Sequence, residues 1–471
     1  MLVYTDPPTG GEVAAGLGFE PRYYAPEAYV LPLDDPAMLS CYLVHEVVAA
    51  HEAGYYTTPE RKFVVVLYNK MSTDKTQKAK LLLKALVKPS NWTDPAPASL
   101  LRVELEKYFS IPVYPLNSGR SALYLLLKAA NIGDEDEVLI QAYTCNAVPN
   151  PVIWTGAKPV YADVNLDTLN VDPRDLERKI TARTKAIILQ HTFGRPGPIE
   201  QIVDIAKERK ILVIEDCAHS LGAEYKGKKL GTFGDAAILS FGREKVVSSL
   251  SGGAILVRSE KLIKPLEKLI ASLGYASFSS YFREINNFFA WRLFIRKVFF
   301  SDFGESLINY LNRKDFFNVV TSSKELVGEK PDWYPKLFPG TFAKIALNEF
   351  KNVEQVNNQR NKIARYYEKN LKNRQFKLLK PHDGVYLRFV VLHENPELIY
   401  LQARKRHFWF GNWYNSPVYP SRVSCEKLYY TAGSCPSAEK AAAQTINLPN
   451  YQGMSEGEAE KVADFINQYE V

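Results

Sequence analysis

Cysteine is scarce in this sequence. The 471 residues include five cysteines, at positions 41, 145, 217, 425 and 435, and none of them forms a CxxC pair. At this density neither a disulfide framework nor a structural zinc site is expected, and we predict no bound metal. Reduced thiols in a cytoplasmic protein are the simpler interpretation.

Long apolar runs and a strong excess of charge are lacking as well. No stretch of about 18 uninterrupted apolar residues occurs, so we predict no ordinary transmembrane helix. The N-terminus carries Asp6 and no basic segment leading into an apolar core, so a secretory signal is not expected. The 59 basic and 52 acidic side chains leave a formal net charge of +7 without a polybasic tail, which argues against binding to nucleic acid.

What is present is a regular alternation of strand-length and helix-length segments between residues 110 and 260. Strands joined by crossover helices such as Ser121–Ala130 and Pro198–Lys210 predict an α/β fold, with a mostly parallel sheet covered by helices on both faces. Ligands bind such sheets beyond the carboxyl ends of the strands, so functional residues are expected there. The predicted strands are Glu137–Tyr143, Pro159–Val164, Ala186–Gln190, Ile211–Ile214, Ala236–Phe241 and Ala254–Val257.

The same pattern divides the chain into four regions. We predict an irregular N-terminal extension at 1–70, the main α/β domain at 71–265, an aromatic and basic helical insertion at 266–340, and a smaller α+β domain at 341–471. The extension should contain a short strand at Phe63–Tyr68. The last domain should contain a long helix at Ala343–Lys372, a strand at Val385–Leu392 and a closing helix at Glu456–Tyr469.

The insertion has an amphipathic segment within residues 281–300. Phe288, Trp291 and Phe299 fall close to one helical face, and Arg292 and Arg296 lie near the other. A helix lying on an anionic membrane surface has this pattern. A helix packed on the protein's own core or across a dimer has it too, so both interpretations stay open.

Three short motifs carry candidate chemistry, and the first is the strand Leu212–Asp216. A carboxylate at the carboxyl end of a strand can hold a protonated pyridine nitrogen, which makes the ring an electron sink. The alternative is that Asp216 caps the helix that follows.

The second motif is the turn Asn117-Ser118-Gly119-Arg120, which enters an apolar helix. Backbone N–H groups at a helix start and the helix dipole attract a phosphate, and the Arg120 side chain could add direct charge. An ordinary serine cap would have the same sequence.

The third motif places Lys245 five residues after Ser240, ahead of Gly252 and Gly253. A lysine beyond a strand end can reach back into the ligand crevice, where desolvation makes its amine a nucleophile toward an aldehyde. Ser240 could bind a phosphate, and the glycines let the loop return closely into the next strand. Alternatively, Lys245 is a solvated surface lysine.

The order and spacing of these motifs resemble the DegT/StrS-type nucleotide-sugar aminotransferases, a family of fold-type I pyridoxal-phosphate enzymes. The resemblance is dense over residues 110–260 and loose over 340–471. The matching stretches are SGRSAL (118–123), GDEDEVLIQAYT (133–144), TGAKPVYADVNLDTLNVDP (155–173), TKAIILQHTFG (184–194), IEDCAHSLGAEYKGKKLGTFGDAAILSFGREK (214–245), SGGAI (251–255) and, more weakly, INLPNYQGMSEGEAEKV (446–462).

The resemblance implies a role for each matched residue. Lys245 would bind the aldehyde of pyridoxal 5'-phosphate covalently and shuttle the proton during the reaction. Asp216 would pair with the pyridine nitrogen, and His219 would hydrogen-bond the phenolic oxygen. The remaining matched residues, Ser240 and the amides of Gly119 and Arg120, would hold the phosphate.

The resemblance also implies the reaction, namely amino transfer from glutamate to a nucleotide-linked keto-sugar, in surface-glycan or secondary-metabolite biosynthesis. It implies a homodimer in the cytoplasm. The amphipathic pattern of the insertion adds peripheral membrane contact through 281–300 as a further hypothesis. The alternatives are a pyridoxal-phosphate sugar dehydratase, against which Lys245 speaks because the dehydratases have histidine there, and a non-catalytic protein on the same scaffold.

The sequence departs from the family pattern at several positions. Cys145 stands where many members have an aromatic residue that stacks on the pyridine ring, so that stacking would have to come from Cys145 itself, from Tyr143 or from elsewhere. Arg120 replaces a small hydroxyl residue. Thr341-Phe342-Ala343 replaces an Arg-Met-Ser type of signature, which leaves the substrate pocket and the contacts with a partner subunit open.

Overall fold

The computed structural model describes residues 75–88, 90–290 and 321–470. Its main feature is a seven-stranded sheet with the order β1-β10-β9-β6-β5-β2-β4. The strands of the first half of the chain are β1 Val113–Leu116, β2 Glu137–Gln141, β3 Thr144–Cys145, β4 Lys158–Ala162, β5 Thr184–Gln190, β6 Leu212–Asp216, β7 Glu224–Tyr225, β8 Lys228–Lys229, β9 Ala236–Ser240 and β10 Gly253–Val257.

The strands from β4 to β9 in this order pair in parallel, and β10 and β1 are added antiparallel at one edge. The prediction of a mostly parallel sheet is therefore confirmed. Each of the six predicted strands is present, with ends that differ by one or two residues. Strand β1 was not predicted, because Pro115 interrupts its short apolar run, and a proline is tolerated in an edge strand such as this one.

Helices cover both faces of the sheet. Along β2, Val138 and Ile140 belong to one buried cluster with Leu123, whereas Leu139 belongs to the other cluster with Ile202. Successive residues of a strand point to opposite faces, so this alternation places one apolar layer on each side. The helices are α1 Lys75–Val87, α2 Ser90–Thr93, α3 Ala96–Phe109, α4 Gly119–Ala129, α5 Pro149–Trp154, α6 Pro173–Arg178, α7 Ile199–Arg209, α8 Glu260–Ala271 and α9 Phe278–Ala290.

The C-terminal part forms a smaller α+β layer, as predicted. Its antiparallel sheet has the order β11-β12-β14. The elements are α10 Ser323–Leu326, α11 Gly340–Phe350, α12 Val353–Asn370, β11 Lys377–Leu378, β12 Phe389–Leu392, α13 Pro396–Lys405, β13 Val418–Tyr419, α14 Pro436–Gln444, β14 Thr445–Leu448 and α15 Glu456–Asn467.

The prediction of one long helix over 343–372 is wrong, because α11 and α12 are separate helices. The N–H of Asn352 donates to the carbonyl of Glu349, three residues back, at 3.1 Å, so the first helix tightens and ends there. Asn352 then leaves the helical region with φ −108° and ψ 12°. The break keeps both Phe350 and Val353 in the buried core.

The predicted insertion is described only in part. In α9, Tyr281 and Ile285 are buried, and the Tyr281 ring stacks on Trp92 with centroids 5.2 Å apart. The described half of the amphipathic segment therefore packs on the protein itself. Residues 291–320, the extension at 1–70 and its predicted strand at Phe63–Tyr68 lie outside the described residues, and the four region boundaries stay predictions. Within the described ranges, no helix combines the length and hydropathy required to cross a bilayer.

Candidate active site

A cavity of about 690 Å³ opens at the carboxyl edge of the large sheet. Three of its lining residues, Gln190, Asp216 and Ser240, are the last residues of the adjacent strands β5, β6 and β9. The start of α4 and the loop that carries Lys245 also line it. The site thus lies where a parallel sheet places ligands.

Asp216 reaches the cavity because β6 ends at this residue. Its side chain is buried, and Oδ1 accepts a hydrogen bond from the Ala218 N–H at 3.0 Å. Burial raises the pKa of Asp216, although this N–H and the nearby Lys245 act in the opposite direction. No helix follows β6 directly, so Asp216 caps none, and the alternative interpretation of this motif falls away.

Lys245 lines the same cavity, on the loop between β9 and β10. Burial lowers the pKa of its amine to about 8; the thiol of Cys145 and the carboxylate of Asp216 oppose this shift, and Arg388 adds to it. The Nζ atom lies 5.1 Å from the centre of the Trp413 ring. Lys245 is therefore not a solvated surface lysine, and the unprotonated fraction of its amine near neutral pH is raised to roughly a tenth.

The start of α4 forms a second wall. Ser118 caps the helix by accepting a hydrogen bond from the Ser121 N–H at 3.0 Å, and Gly119 is the first helical residue. Strand β10 approaches this helix start so closely that a Cβ at Gly253 would lie 2.4 Å from the Gly119 nitrogen. The glycine is thus required for the chain to bring the helix start beside Ser240.

Arg120 forms an ion pair with an acidic residue of the C-terminal part. Its Nε lies 2.8 Å from Oε1 of the buried Glu325, and the Arg120 side chain is itself only 12% exposed. Its guanidinium is also 5.9 Å from the centre of the Tyr334 ring. Glu325 therefore pairs with Arg120, whose side chain lines the same cavity as Ser240 and Lys245.

His219 is fully packed among aromatic rings. Its Nδ1 accepts the Phe193 N–H at 3.2 Å, so Nε2 carries the proton and lies 3.5 Å from the Tyr414 hydroxyl. Burial, with Lys245 and Arg388 nearby, lowers the pKa of His219 well below its usual range. The ring is thus a neutral N–H donor at the cavity wall.

The aromatic lining of the cavity includes a residue beside His219 that sequence reasoning missed. Cys145 lines the cavity, but Tyr143 is not among its lining residues and packs against Phe193 and Tyr414 instead. Trp413 does line it, and its ring stacks on His219 at 5.9 Å and 12°. No motif marks this tryptophan, which stands in a segment rich in aromatic residues.

Three arginines from the C-terminal layer, Arg360, Arg388 and Arg422, also line the cavity and were not predicted. Arg388 precedes β12, pairs with Glu244 and lies 4.8 Å from the centre of the Trp413 ring. Arg360 is on α12 and is only 8% exposed. A strand-end acid and a post-strand lysine can be found by pattern, whereas these arginines are brought in by tertiary packing alone.

The fold and this juxtaposition of amine and carboxylate define a protein of the fold-type I transferase class. The known structure of NtdA from Bacillus subtilis with bound cofactor PMP has the same fold, with a TM-score of 0.64 and 21% identity over 85% of this chain and 83% of that one. Residues 106–288 and 339–467 match the model of the DegT/DnrJ/EryC1/StrS aminotransferase family. The chain belongs to this family.

Two relatives indicate the range of the family. The GDP-perosamine synthase of Escherichia coli O157:H7 is 41% identical over 147 residues, which are 31% of this chain and 40% of the relative. The dTDP-3-amino-3,6-dideoxy-alpha-D-galactopyranose transaminase of Aneurinibacillus thermoaerophilus is 28% identical over 75% of this chain and 84% of the relative. The matches at 40% identity or more span less than half of the relatives' own length.

Proposed function

We propose that this protein transfers an amino group from an amino acid, glutamate foremost, to the keto-sugar of a nucleotide-linked sugar, with pyridoxal phosphate as cofactor. The observation that carries the proposal is the convergence of the Lys245 amine and the Asp216 carboxylate on one cavity. Family membership supports amino transfer, and the two named relatives support a GDP- or dTDP-linked sugar in glycan or aminosugar biosynthesis.

The residues of the cavity fit this cofactor. Its aldehyde requires an amine that is free near neutral pH, and burial lowers the pKa of Lys245 to about 8. Its phosphate requires hydrogen-bond donors, and the start of α4 at Gly119 lies beside the Ser240 hydroxyl. Its ring nitrogen requires a carboxylate, and Asp216 lines the same cavity.

When bound, pyridoxal phosphate supplies an aldehyde and a ring that delocalises negative charge from the carbon next to the amine. The chain then has four tasks. Asp216 holds a proton on the ring nitrogen. Lys245 Nζ would take the proton from the donor's α-carbon as general base and would deliver it, as general acid, to the carbon that carried the cofactor's aldehyde. His219 Nε2–H is the donor available for the phenolic oxygen, and Trp413 shields this side from water.

Removal of the Lys245 amine tests the proposal. The purified protein should gain a visible absorbance on incubation with pyridoxal phosphate, and Lys245→Ala should lack both that absorbance and turnover. Lys207→Ala is the matched control, because Lys207 is an exposed lysine on α7 that does not line the cavity. A Lys245→Ala protein that keeps turnover would refute the role of Lys245.

The substrate is tested by offering GDP- and dTDP-linked keto-sugars with glutamate and analysing the product by mass spectrometry. A sugar that gains an amine supports amino transfer. A sugar that loses a hydroxyl group would instead indicate the dehydratase, and a protein that stays colourless with pyridoxal phosphate would indicate a non-catalytic scaffold.

We further propose, from the family resemblance, that the protein acts as a cytoplasmic homodimer. Light scattering on the purified protein measures the mass of the assembly, and a monomer would contradict this part. Peripheral membrane contact through 281–300 is left out of the proposal, because Tyr281 and Ile285 are buried in the protein's own core.

A further inference from the structure

One buried cation on the cavity wall has no use in the mechanism described so far. Arg360, on α12, is 8% exposed and lines the same cavity as Lys245 and Asp216. Its Nε and Nη1 atoms have no hydrogen-bond partner among the residues that the structure describes. A buried charge without a partner costs free energy, so its retention calls for a ligand or a structural reason.

Among the described residues, no carboxylate forms an ion pair with Arg360. On the same helix, Asn357 donates to the Leu221 carbonyl at 3.0 Å while its Oδ1 has no partner, and Gln359 donates to the Met454 carbonyl at 2.9 Å. The charged group that acts on Arg360 is Arg388, which has the same sign. Burial and, to a lesser extent, Arg388 lower the pKa of Arg360 to about 9.

The balance of charge along the cavity lining is positive. Arg388 lies close enough to Lys245 and to His219 to lower the pKa of each. Its own pairing with Glu244 uses one carboxylate, and Asp216 is the other acid that acts on Lys245. Over the whole lining of the cavity, seven basic side chains outnumber five carboxylates, so the cavity is complementary to an anion.

We propose that Arg360, assisted by Arg388, binds a carboxylate of the amino donor. The inference rests on the proposed function, because it assigns one substrate of the same site. A guanidinium matches a carboxylate through two parallel hydrogen bonds, which a lysine cannot reproduce. The donor is thereby an amino acid held by its carboxylate, with its amine directed toward the centre of the cavity.

Other anions of this reaction fit Arg360 less well. The cofactor's phosphate has its own donors at the start of α4. A nucleotide diphosphate carries a substituent at each end and needs a groove open on both sides, whereas a carboxylate is a terminal group that can reach an arginine that is only 8% exposed. The keto-sugar itself has no carboxylate, so its binding should not depend on Arg360.

The test separates the two half-reactions of the cofactor-loaded protein. In the first, glutamate alone converts the cofactor to its aminated form, which is followed by absorbance. In the second, the aminated form is mixed with the GDP- or dTDP-linked keto-sugar that the product screen identifies. We expect Arg360→Gln to raise the half-saturating glutamate concentration about 10- to 100-fold and to leave that of the keto-sugar unchanged. The half-saturating glutamate concentration of Arg360→Lys should lie between those of the wild type and Arg360→Gln.

A matched control and a binding measurement complete the design. Arg365→Gln removes an arginine from the same helix, where it pairs with Glu368 and is half-exposed, and it should leave both half-reactions unchanged. Glutarate, a dicarboxylate without an amine, should bind the cofactor-loaded protein in calorimetry and bind the Arg360→Gln variant at least 10-fold more weakly. Without ligand, Arg360→Gln should unfold at the same temperature or higher, because an unpaired buried charge is removed.

Each contrary result has a definite meaning. Unchanged glutamate and glutarate binding with a lowered unfolding temperature would make Arg360 structural and overturn the inference. If Arg360→Gln altered only the half-reaction with the keto-sugar, Arg360 would instead bind the nucleotide diphosphate, and the inference would be overturned as well. If the wild type transfers no amino group, the proposed function fails, and the glutarate measurement still decides whether Arg360 binds carboxylates.

Discussion

The pKa of Lys245 leads to a quantitative prediction for the protein without cofactor. Burial lowers this pKa from 10.5 to about 8. At pH 7 the fraction of free amine then rises from roughly 0.03% to roughly 9%, a gain of about 300-fold in the reactive form. The pKa is lowered because desolvation disfavours the charged ammonium. The amine should therefore become reactive as the pH rises through about 8.

Competitive labelling with acetic anhydride, read by mass spectrometry of the digested protein, measures this directly. The rate of Lys245 acetylation should increase through a midpoint near pH 8 and level off above it. Lys226 serves as an internal reference in the same digest, because its hydrogen bond to Glu200 raises its pKa. Asp216→Asn should shift the Lys245 midpoint to lower pH, since a negative charge that favours the ammonium is lost. A midpoint at or above pH 10 would refute the argument from burial.

Two further predictions concern the scaffold of the site. Gly253→Ala should lower the free energy of unfolding in urea by about 1–3 kcal/mol, because its Cβ would lie 2.4 Å from the Gly119 nitrogen. Gly457→Ala is the control, since Gly457 lies in α15 with open space around it, and this change should not destabilise the protein. Equal losses of stability in the two variants would contradict the packing argument. Although burial raises it, the pKa of Glu215 is lowered overall by His191 and backbone N–H groups. The ionised Glu215 should therefore stabilise the fold above pH 4.5, and this stabilisation should be lost on acidification. Glu215→Gln should lower the free energy of unfolding by about 2 kcal/mol at pH 7, and the difference from the wild type should shrink toward pH 3.

The sheet and the reactive pair could be predicted because their signals are local. Asp216 ends an apolar run of strand length, and Lys245 follows the next strand within the same continuous motif. In a parallel sheet, strand ends meet at one edge, so sequence order alone brought these two residues to one place.

The other wall of the cavity could not be predicted in this way. Trp413 and Arg388 belong to the C-terminal layer, and they reach the site only through packing of that layer against the large sheet. Tyr143 shows the converse limit, because it stands near Cys145 in the sequence but faces the core. The break at Asn352 was missed since the apolar pattern continues through it without a proline or glycine.

The short parallel pair of β3 and β13 ties the two walls together. The Thr144 N–H donates to the Pro417 carbonyl at 3.0 Å, and the Asn146 N–H donates to the Tyr419 carbonyl at 2.8 Å. The C-terminal layer and the large sheet therefore cannot separate as rigid bodies without breaking these hydrogen bonds. Entry of a substrate then does not depend on separation of the two layers, and Trp409, which lines the cavity and is 40% exposed, is a side chain that can move instead.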